Sequence, residues 1–165
     1  MYLRRLVVAA SLLATIRGEA QVGGEPGAFA GTLAAHNGYR ATQRLPPLAW
    51  STTVAAFAQD WADHLRRERN CGMQHRPNNK YGENLFWGRG RRFSMTEAID
   101  DWAGEQAHYH FDGNSCDQGA VCGHYTQVMW RTTKVVGCGV AYCGDDMVVV
   151  CDYDPPGNWV GQQPY

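Results

Sequence analysis

The segment Cys122-Gly123-His124-Tyr125-Thr126-Gln127-Val128-Met129-Trp130 decides how the rest of the chain is read. It opens a stretch in which five of the six cysteines fall between Cys116 and Cys151, and Cys151-Asp152-Tyr153-Asp154-Pro155-Pro156-Gly157-Asn158-Trp159 closes it. Between the two blocks lie Val135–Cys143 and Met147–Cys151. Their β-branched runs, Val135-Val136 and Val148-Val149-Val150, stand next to turn residues and read as strands. Gly144-Asp145 is a two-residue hairpin turn between them. In that register Cys143 faces Asp146 and Cys138 faces Cys151. Directly opposed Cα atoms sit about 4.5–5.5 Å apart, within the reach of a disulfide. The sequence therefore predicts Cys138–Cys151.

Six cysteines allow about fifteen pairings, and the hairpin narrows them. Cys143 is five residues from Cys138, so it points to the opposite face of the same strand and needs a partner elsewhere. Cys116 and Cys122 bracket the short loop Asp117-Gln118-Gly119-Ala120-Val121 and can close on each other. That leaves Cys71 for Cys143. No Cys-x-x-Cys pair supports a zinc site built from these thiols.

A chain of 165 residues fits one domain with a core of moderate size. Arg4 and Arg5, the apolar run Leu6–Ile16, and small residues at Gly18 and Ala20 read as a secretory signal at 1–20, cut after Ala20. The run is too short to persist as a spanning helix, so the mature chain is expected to carry no transmembrane segment. The cut removes Arg4, Arg5, Arg17 and Glu19 from 15 basic and 16 acidic residues, leaving 12 and 15 and a formal charge of −3. That balance argues against nucleic acid as a partner. All six cysteines follow the cut, and an even count in an exported chain points to three disulfides.

Residues 21–28 form a loose lead-in, and a folded domain is expected over 29–165. Phe29, Leu33, Asn37 and Arg40 follow a helical spacing, and Leu45-Pro46-Pro47-Leu48 ends it. Ser51 is a plausible N-cap for the clearest amphipathic helix, with Val54, Phe57, Ala58, Trp61, Ala62 and Leu65 on one face. Ser94-Met95-Thr96-Glu97 has capping-box spacing ahead of a third helix, whose apolar stripe is Ala98, Ile99, Trp102 and Ala103. Tyr39, Trp50 and Trp61 read as core aromatics, and His36 as packed. The prolines and glycines of 155–165 forbid a helix and suggest a strap over the surface. Helices followed by a crosslinked hairpin argue an α+β fold.

The two cysteine-bounded blocks, with Ala35-His36-Asn37-Gly38-Tyr39-Arg40 upstream, resemble the double signature of the CAP superfamily. That superfamily joins cysteine-rich secretory proteins, antigen 5 and pathogenesis-related 1, and the plant pathogenesis-related 1 branch is the most similar. The resemblance implies a three-layer α–β–α sandwich with the three disulfides above. It also implies a secreted, extracellular protein (apoplastic in a plant) with a role in defence against fungi or oomycetes. Gln74-His75-Arg76, Tyr81-Gly82-Glu83-Asn84-Leu85, Trp102-Ala103-Gly104-Glu105 and Gly123-His124-Tyr125 match phrases that in the family build a central cleft. The implied tetrad is His75, Glu83, Glu105 and His124. Spacing alone does not assemble these four, since the nearest pair lies eight residues apart and no His-Glu-x-x-His occurs.

Three chemistries compete for the tetrad. Imidazoles and carboxylates suit zinc, with His75 and His124 as ligands, although two histidines make only half a tetrahedral shell. Paired titratable groups also suit acid–base work. The third reading is a hydrogen-bonded network joining helices to sheet. Glu105, three residues after Trp102 on the flank of a buried stripe, is partly desolvated unless it meets a donor, cation or metal. Hydrolysis ranks last, because no serine or cysteine is placed as a nucleophile and the cysteines are committed to bridges. The expectation is a non-enzyme that requires no cofactor, with weak zinc binding at most; the alternatives are a metal-dependent hydrolase and an extracellular protein-binding module.

Phe86-Trp87-Gly88-Arg89-Gly90-Arg91-Arg92-Phe93 mixes aromatics, arginines and glycines. It reads either as a solvated loop with tucked aromatics or as a mobile lip over an apolar ligand. Family members bind sterols and other lipids through aromatic-rich loops, which makes Phe86, Trp87 and Phe93 the lipid-binding candidates. His108-Tyr109-His110 is either a chelating pair or an exposed pair near a helix end. In the plant branch the last eleven residues resemble a defence peptide released after a Cys-Asn-Tyr-x phrase. Here that phrase is Cys151-Asp152-Tyr153-Asp154, which puts release between Asp154 and Pro155, with a processing protease and a receptor as implied partners.

Overall fold

The computed structural model describes residues 22–165, with the backbone alone at Val22; the leader read at 1–20 lies outside the described residues. In chain order the elements are β1 (Val22–Gly23), α1 (Thr32–Thr42), β2 (Ala49–Ser51), α2 (Thr52–Arg69) and β3 (Gly82–Arg89). They continue with α3 (Met95–Gly104), β4 (Tyr109–His110), β5 (Ser115–Cys116), α4 (Gly123–Val128), β6 (Val135–Cys143) and β7 (Asp146–Asp154). Five strands form one sheet in the order β1-β2-β6-β7-β3, while β4 and β5 pair as a separate small hairpin. Within the large sheet only β2 and β6 run parallel.

The β6–β7 hairpin sets the layers. Cys138 pairs with Cys151 and Cys143 with Asp146, as the turn chemistry predicts. Gly144, first of the two turn residues, takes φ +58°, a conformation that glycine reaches without strain. Alternation along β6 and β7 then sorts side chains between two cores. Val136, Cys138, Val149, Cys151 and Tyr153 face α1, α3 and α4, together with Trp50, Ile99, Trp102 and Tyr125. Ala141, Val148 and Val150 face α2, which meets them with Ala58, Trp61, Ala62 and Leu65. Gly137 and Gly139 let α2 lie directly on the sheet, since a Cβ at either would strike the backbone of Ala55 or of Ala58 and Gln59. The result is a three-layer α–β–α sandwich. Three disulfides cross-link it: Cys138–Cys151 (Cα–Cα 4.1 Å), Cys116–Cys122 and Cys71–Cys143 (both 5.9 Å).

Both predicted helix starts have the expected caps. The Ser51 side chain accepts from Val54 N, and Ser94 and Glu97 complete a reciprocal capping box at α3. Ser94→Ala removes the hydroxyl half of that box and should lower stability by about 1 kcal/mol in a urea titration. An unchanged midpoint would mean that tertiary packing alone holds the start of α3.

The structure corrects several expectations. Phe29 lies in a 3-10 turn (Gly27–Phe29) ahead of α1 rather than in the helix. The second hairpin strand runs from Asp146 through Asp154, past the predicted end at Cys151. The segment expected to be a loop or mobile lip is, through Arg89, strand β3, paired with β7 along its whole length. Gly88 supplies clearance rather than mobility, since a Cβ there would collide with the Phe93 ring. The arginines are engaged as well. Arg89 forms two hydrogen bonds to Asp146 (2.6 and 3.1 Å), Arg91 pairs with Glu97 (2.6 Å), and Arg92 lies 3.5 Å above the Tyr142 ring.

Candidate functional site

Two histidine–glutamate pairs face a small cleft at the open edge of the sheet. Met73, Gln74, His75, Leu85 and His124 line a cavity of about 200 Å³. The structure thus brings His75 and His124 together, and each is backed by one glutamate of the tetrad.

Glu83 projects from β3, with its side chain only 4% exposed. Its Oε1 accepts from His75 Nδ1 (2.6 Å) and Arg76 N (3.0 Å), and its Oε2 accepts from the Asn79 amide (3.2 Å). The bond to Glu83 raises the pKa of His75 above its ordinary value, with burial acting in the opposite sense. Glu105 begins the 3-10 turn that follows α3. Its Oε1 accepts from His124 Nδ1 (2.6 Å), and its Oε2 from the backbone N–H groups of His124 (2.9 Å) and Tyr125 (3.1 Å). Helix α4 has no side-chain cap of its own at Cys122, so Glu105 caps it from another element. This answers the desolvation argument: the carboxylate meets three donors.

In both pairs a carboxylate accepts from Nδ1, which places the ring proton there and leaves Nε2 as the nitrogen free for a ligand. A metal-binding imidazole is usually oriented in this way. However, among the described residues no three His, Cys, Asp or Glu side chains are gathered to hold an ion. The residues fit two imidazole ligands of a weak site, not a closed structural one.

Behind the cleft runs a directional network. The His124 carbonyl accepts from Asn84 Nδ2 (3.1 Å), which also donates to the Tyr153 hydroxyl (3.3 Å). That hydroxyl meets His36 Nε2 (2.8 Å), while His36 Nδ1 lies 2.8 Å from the Thr32 carbonyl. A carbonyl only accepts, so Nδ1 carries the proton and Tyr153 donates to Nε2. Burial holds the pKa of His36 down to about 4, and the ring is neutral in this network.

Asp152 extends the Glu83 side of the site, and sequence reasoning missed its part in it. It pairs with Glu83 across β3 and β7 and is fully buried. Its Oδ1 accepts from Asn79 Nδ2 (2.9 Å), and its Oδ2 has no hydrogen-bond partner. Burial raises its pKa to about 7, with the Asn79 bond opposing and the Glu83 charge adding to the rise.

The lipid candidates are dispersed. Phe86 packs against Phe93 (5.4 Å between ring centroids) on the α3 side, whereas Trp87 projects to the other face and is 42% exposed. The cavity beside Phe93 holds about 160 Å³. A larger groove of about 330 Å³ lies between the β4–β5 hairpin, α4 and the C-terminal strap. Tyr109, Trp130, Trp159 and Val160 give it an apolar lining, with Asn114 and Gln162 among its polar groups. His108 precedes this hairpin and His110 lies in β4, and both bond the Asp117 carboxylate, at 3.1 and 2.6 Å.

Residues 33–153 match the model of the CAP, cysteine-rich secretory protein family. Pathogenesis-related protein 1C of Nicotiana tabacum is 45% identical over 134 residues, covering 81% of this chain and 78% of the relative. Pathogenesis-related protein 1 of Arabidopsis thaliana is 40% identical, covering 81% and 80%. Among solved structures, venom allergen-like protein 4 of Schistosoma mansoni superposes with a TM-score of 0.69 at 24% identity, covering 86% of this chain and 95% of that one. Family match, identity to the plant proteins and shared fold agree, and the chain belongs to the cysteine-rich secretory protein (CAP) family.

Proposed function

We propose that this chain is a secreted, defence-related CAP protein that binds a sterol or another lipid without catalysis and carries residues 155–165 as a releasable peptide. The observation behind the lipid reading is the groove of about 330 Å³. Ligand sites run from about 300 to 1,000 Å³ and combine apolar walls with a few polar groups. The groove meets both conditions, and the cavity of about 160 Å³ beside Phe93 does not. A sterol gains roughly 25 cal/mol for each Å² of apolar surface removed from water, and its single hydroxyl needs one partner such as Asn114 or Gln162.

The cleft supports a non-enzyme reading. Its lining offers no hydroxyl or thiol beside the imidazoles, and all six cysteines are bridged. The histidine–glutamate pairs act as struts joining β3 and α4 to their surroundings. The cleft requires no cofactor in this account, with weak zinc binding through His75 and His124 as its upper limit. Full pairing of the cysteines fits an oxidising, exported location.

A sterol titration on variants tests the placement. Trp159→Ala should weaken binding about tenfold, equivalent to about 1.4 kcal/mol. The His75→Ala/His124→Ala double variant should bind as the wild type does. A loss confined to Phe93→Ala would return the site to the β3 edge, and a loss confined to the double variant would move it to the cleft.

A further inference from the structure

Residues 155–165 cross the body as two sets of anchors with an exposed turn between them. At the near end the Pro155 carbonyl accepts from Thr133 Oγ1 (2.9 Å), and Gly157 N donates to Gln127 Oε1 (3.0 Å). Gly157 lies so close to Trp130 that a Cβ there would strike the indole. The Asn158 amide donates to the Gly123 carbonyl (2.8 Å) and accepts from Thr126 Oγ1 (2.7 Å). At the far end Pro164 is buried and its carbonyl accepts from Arg131 N (2.7 Å). Tyr165 stacks on Phe111 (4.8 Å between centroids), and its hydroxyl meets that of Tyr125 at 2.9 Å.

The middle behaves differently. Gln162 N donates to the Trp159 carbonyl (3.0 Å) and Gly161 takes φ +80°, which together make a turn with glycine at its third position. Its tip is presented to solvent: Trp159 is 56% exposed and Val160 fully so. The body reads the Pro-Gly-Asn end and the Pro-Tyr end, and the turn between them faces outward.

We infer that the body is a binding site for the peptide 155–165, and that the segment stays docked when the Asp154–Pro155 bond is cut. None of these anchors needs that covalent link, and cutting it ends no hydrogen bond named above. The inference rests on the reading that the chain is cut at this bond. Cutting and release are then separate events, and a partner can read the Trp159–Val160 turn while the peptide is still held. Departure of the segment also removes one wall of the lipid groove, so bound lipid and free peptide exclude each other.

The test uses the full chain with a viral-protease recognition sequence inserted between Asp154 and Pro155. After cutting, gel filtration and native mass spectrometry should show one species with both pieces, persisting through a 100-fold dilution. An Asn158→Ala/Tyr165→Ala version, folded before cutting by its thermal transition, should lose the segment at least tenfold faster. Appearance of the wild-type segment in the low-mass fraction on the first column would overturn the inference, as would equal retention in the double variant. The engineered cut makes this outcome independent of natural processing at Asp154, which mass spectrometry of the chain without the insertion reads separately.

Discussion

Arg40→Ala is expected to destabilise the fold by about 3–5 kcal/mol, the range for removing one partner of a buried charged network. Arg40 lies in α1 and is fully buried. Its Nε donates to the Pro46 carbonyl (2.9 Å), Nη1 to those of Val128 and Trp130 (both 2.9 Å), and Nη2 to that of Thr133 (3.4 Å). Burial lowers its pKa to about 10, so it remains charged at neutral pH. No carboxylate is among these acceptors; four carbonyl dipoles from the segments after α1 and around the end of α4 share the charge. Truncation leaves a cavity and takes this donor from all four; the Trp130 carbonyl keeps the Thr133 N–H (3.2 Å), and the others lose the only donor named for them. Urea titration should report the loss, with a fall in Tm of roughly 10 °C for a protein of this size. Arg40→Lys should recover only part of it, because an ammonium cannot reproduce the guanidinium fork. A loss below about 1 kcal/mol would mean that these carbonyls find water instead.

The second large effect belongs to Asp152 and depends on pH. A folded pKa of about 7 against an ordinary value of 3.8 means that the folded protein holds the proton more tightly than the unfolded chain. The contribution of Asp152 is therefore fully present below about pH 4, falls as pH rises towards 7, and is level beyond that. The full difference corresponds to about 4 kcal/mol. Asp152→Asn removes this titration and can keep the oxygen that accepts from Asn79. The variant should match the wild type near pH 4 and exceed it by a few kcal/mol at pH 8. His75 also has a raised pKa, to which the Asp152 charge adds, and its contribution is likewise lost as pH rises, so the difference between variant and wild type reads Asp152 together with the part of the His75 shift that it causes. A difference that stays constant from pH 4 to 8 would show that Asp152 is ionised throughout.

These two residues show where sequence reasoning succeeds and where it stops. The β6–β7 hairpin was legible because turn chemistry and β-branched runs are local, and its register then fixed a disulfide. The same alternation, carried past Cys151, puts Asp152 on the α2 face; it was missed because the strand was ended too early. Strand β3 carried no comparable signal. Gly-Glu-Asn-Leu-Phe-Trp-Gly-Arg is polar at both ends, and pairing with β7, far along the chain, makes it a strand. The tetrad was legible only through family phrases, since no spacing joins Glu83 to His75 or Glu105 to His124 in three dimensions. The capping of α4 by Glu105 from 19 residues away, and the carbonyl cage around Arg40, arise only when the layers meet.

On the proposed reading this CAP protein carries a lipid without catalysing a reaction. Equilibrium binding of a radiolabelled sterol to the purified protein, in zinc and in chelator, tests it most directly. Saturable binding at one site per chain, with the same affinity in both conditions, is the expected result. No retained sterol, or retention only in the presence of zinc, would contradict the account.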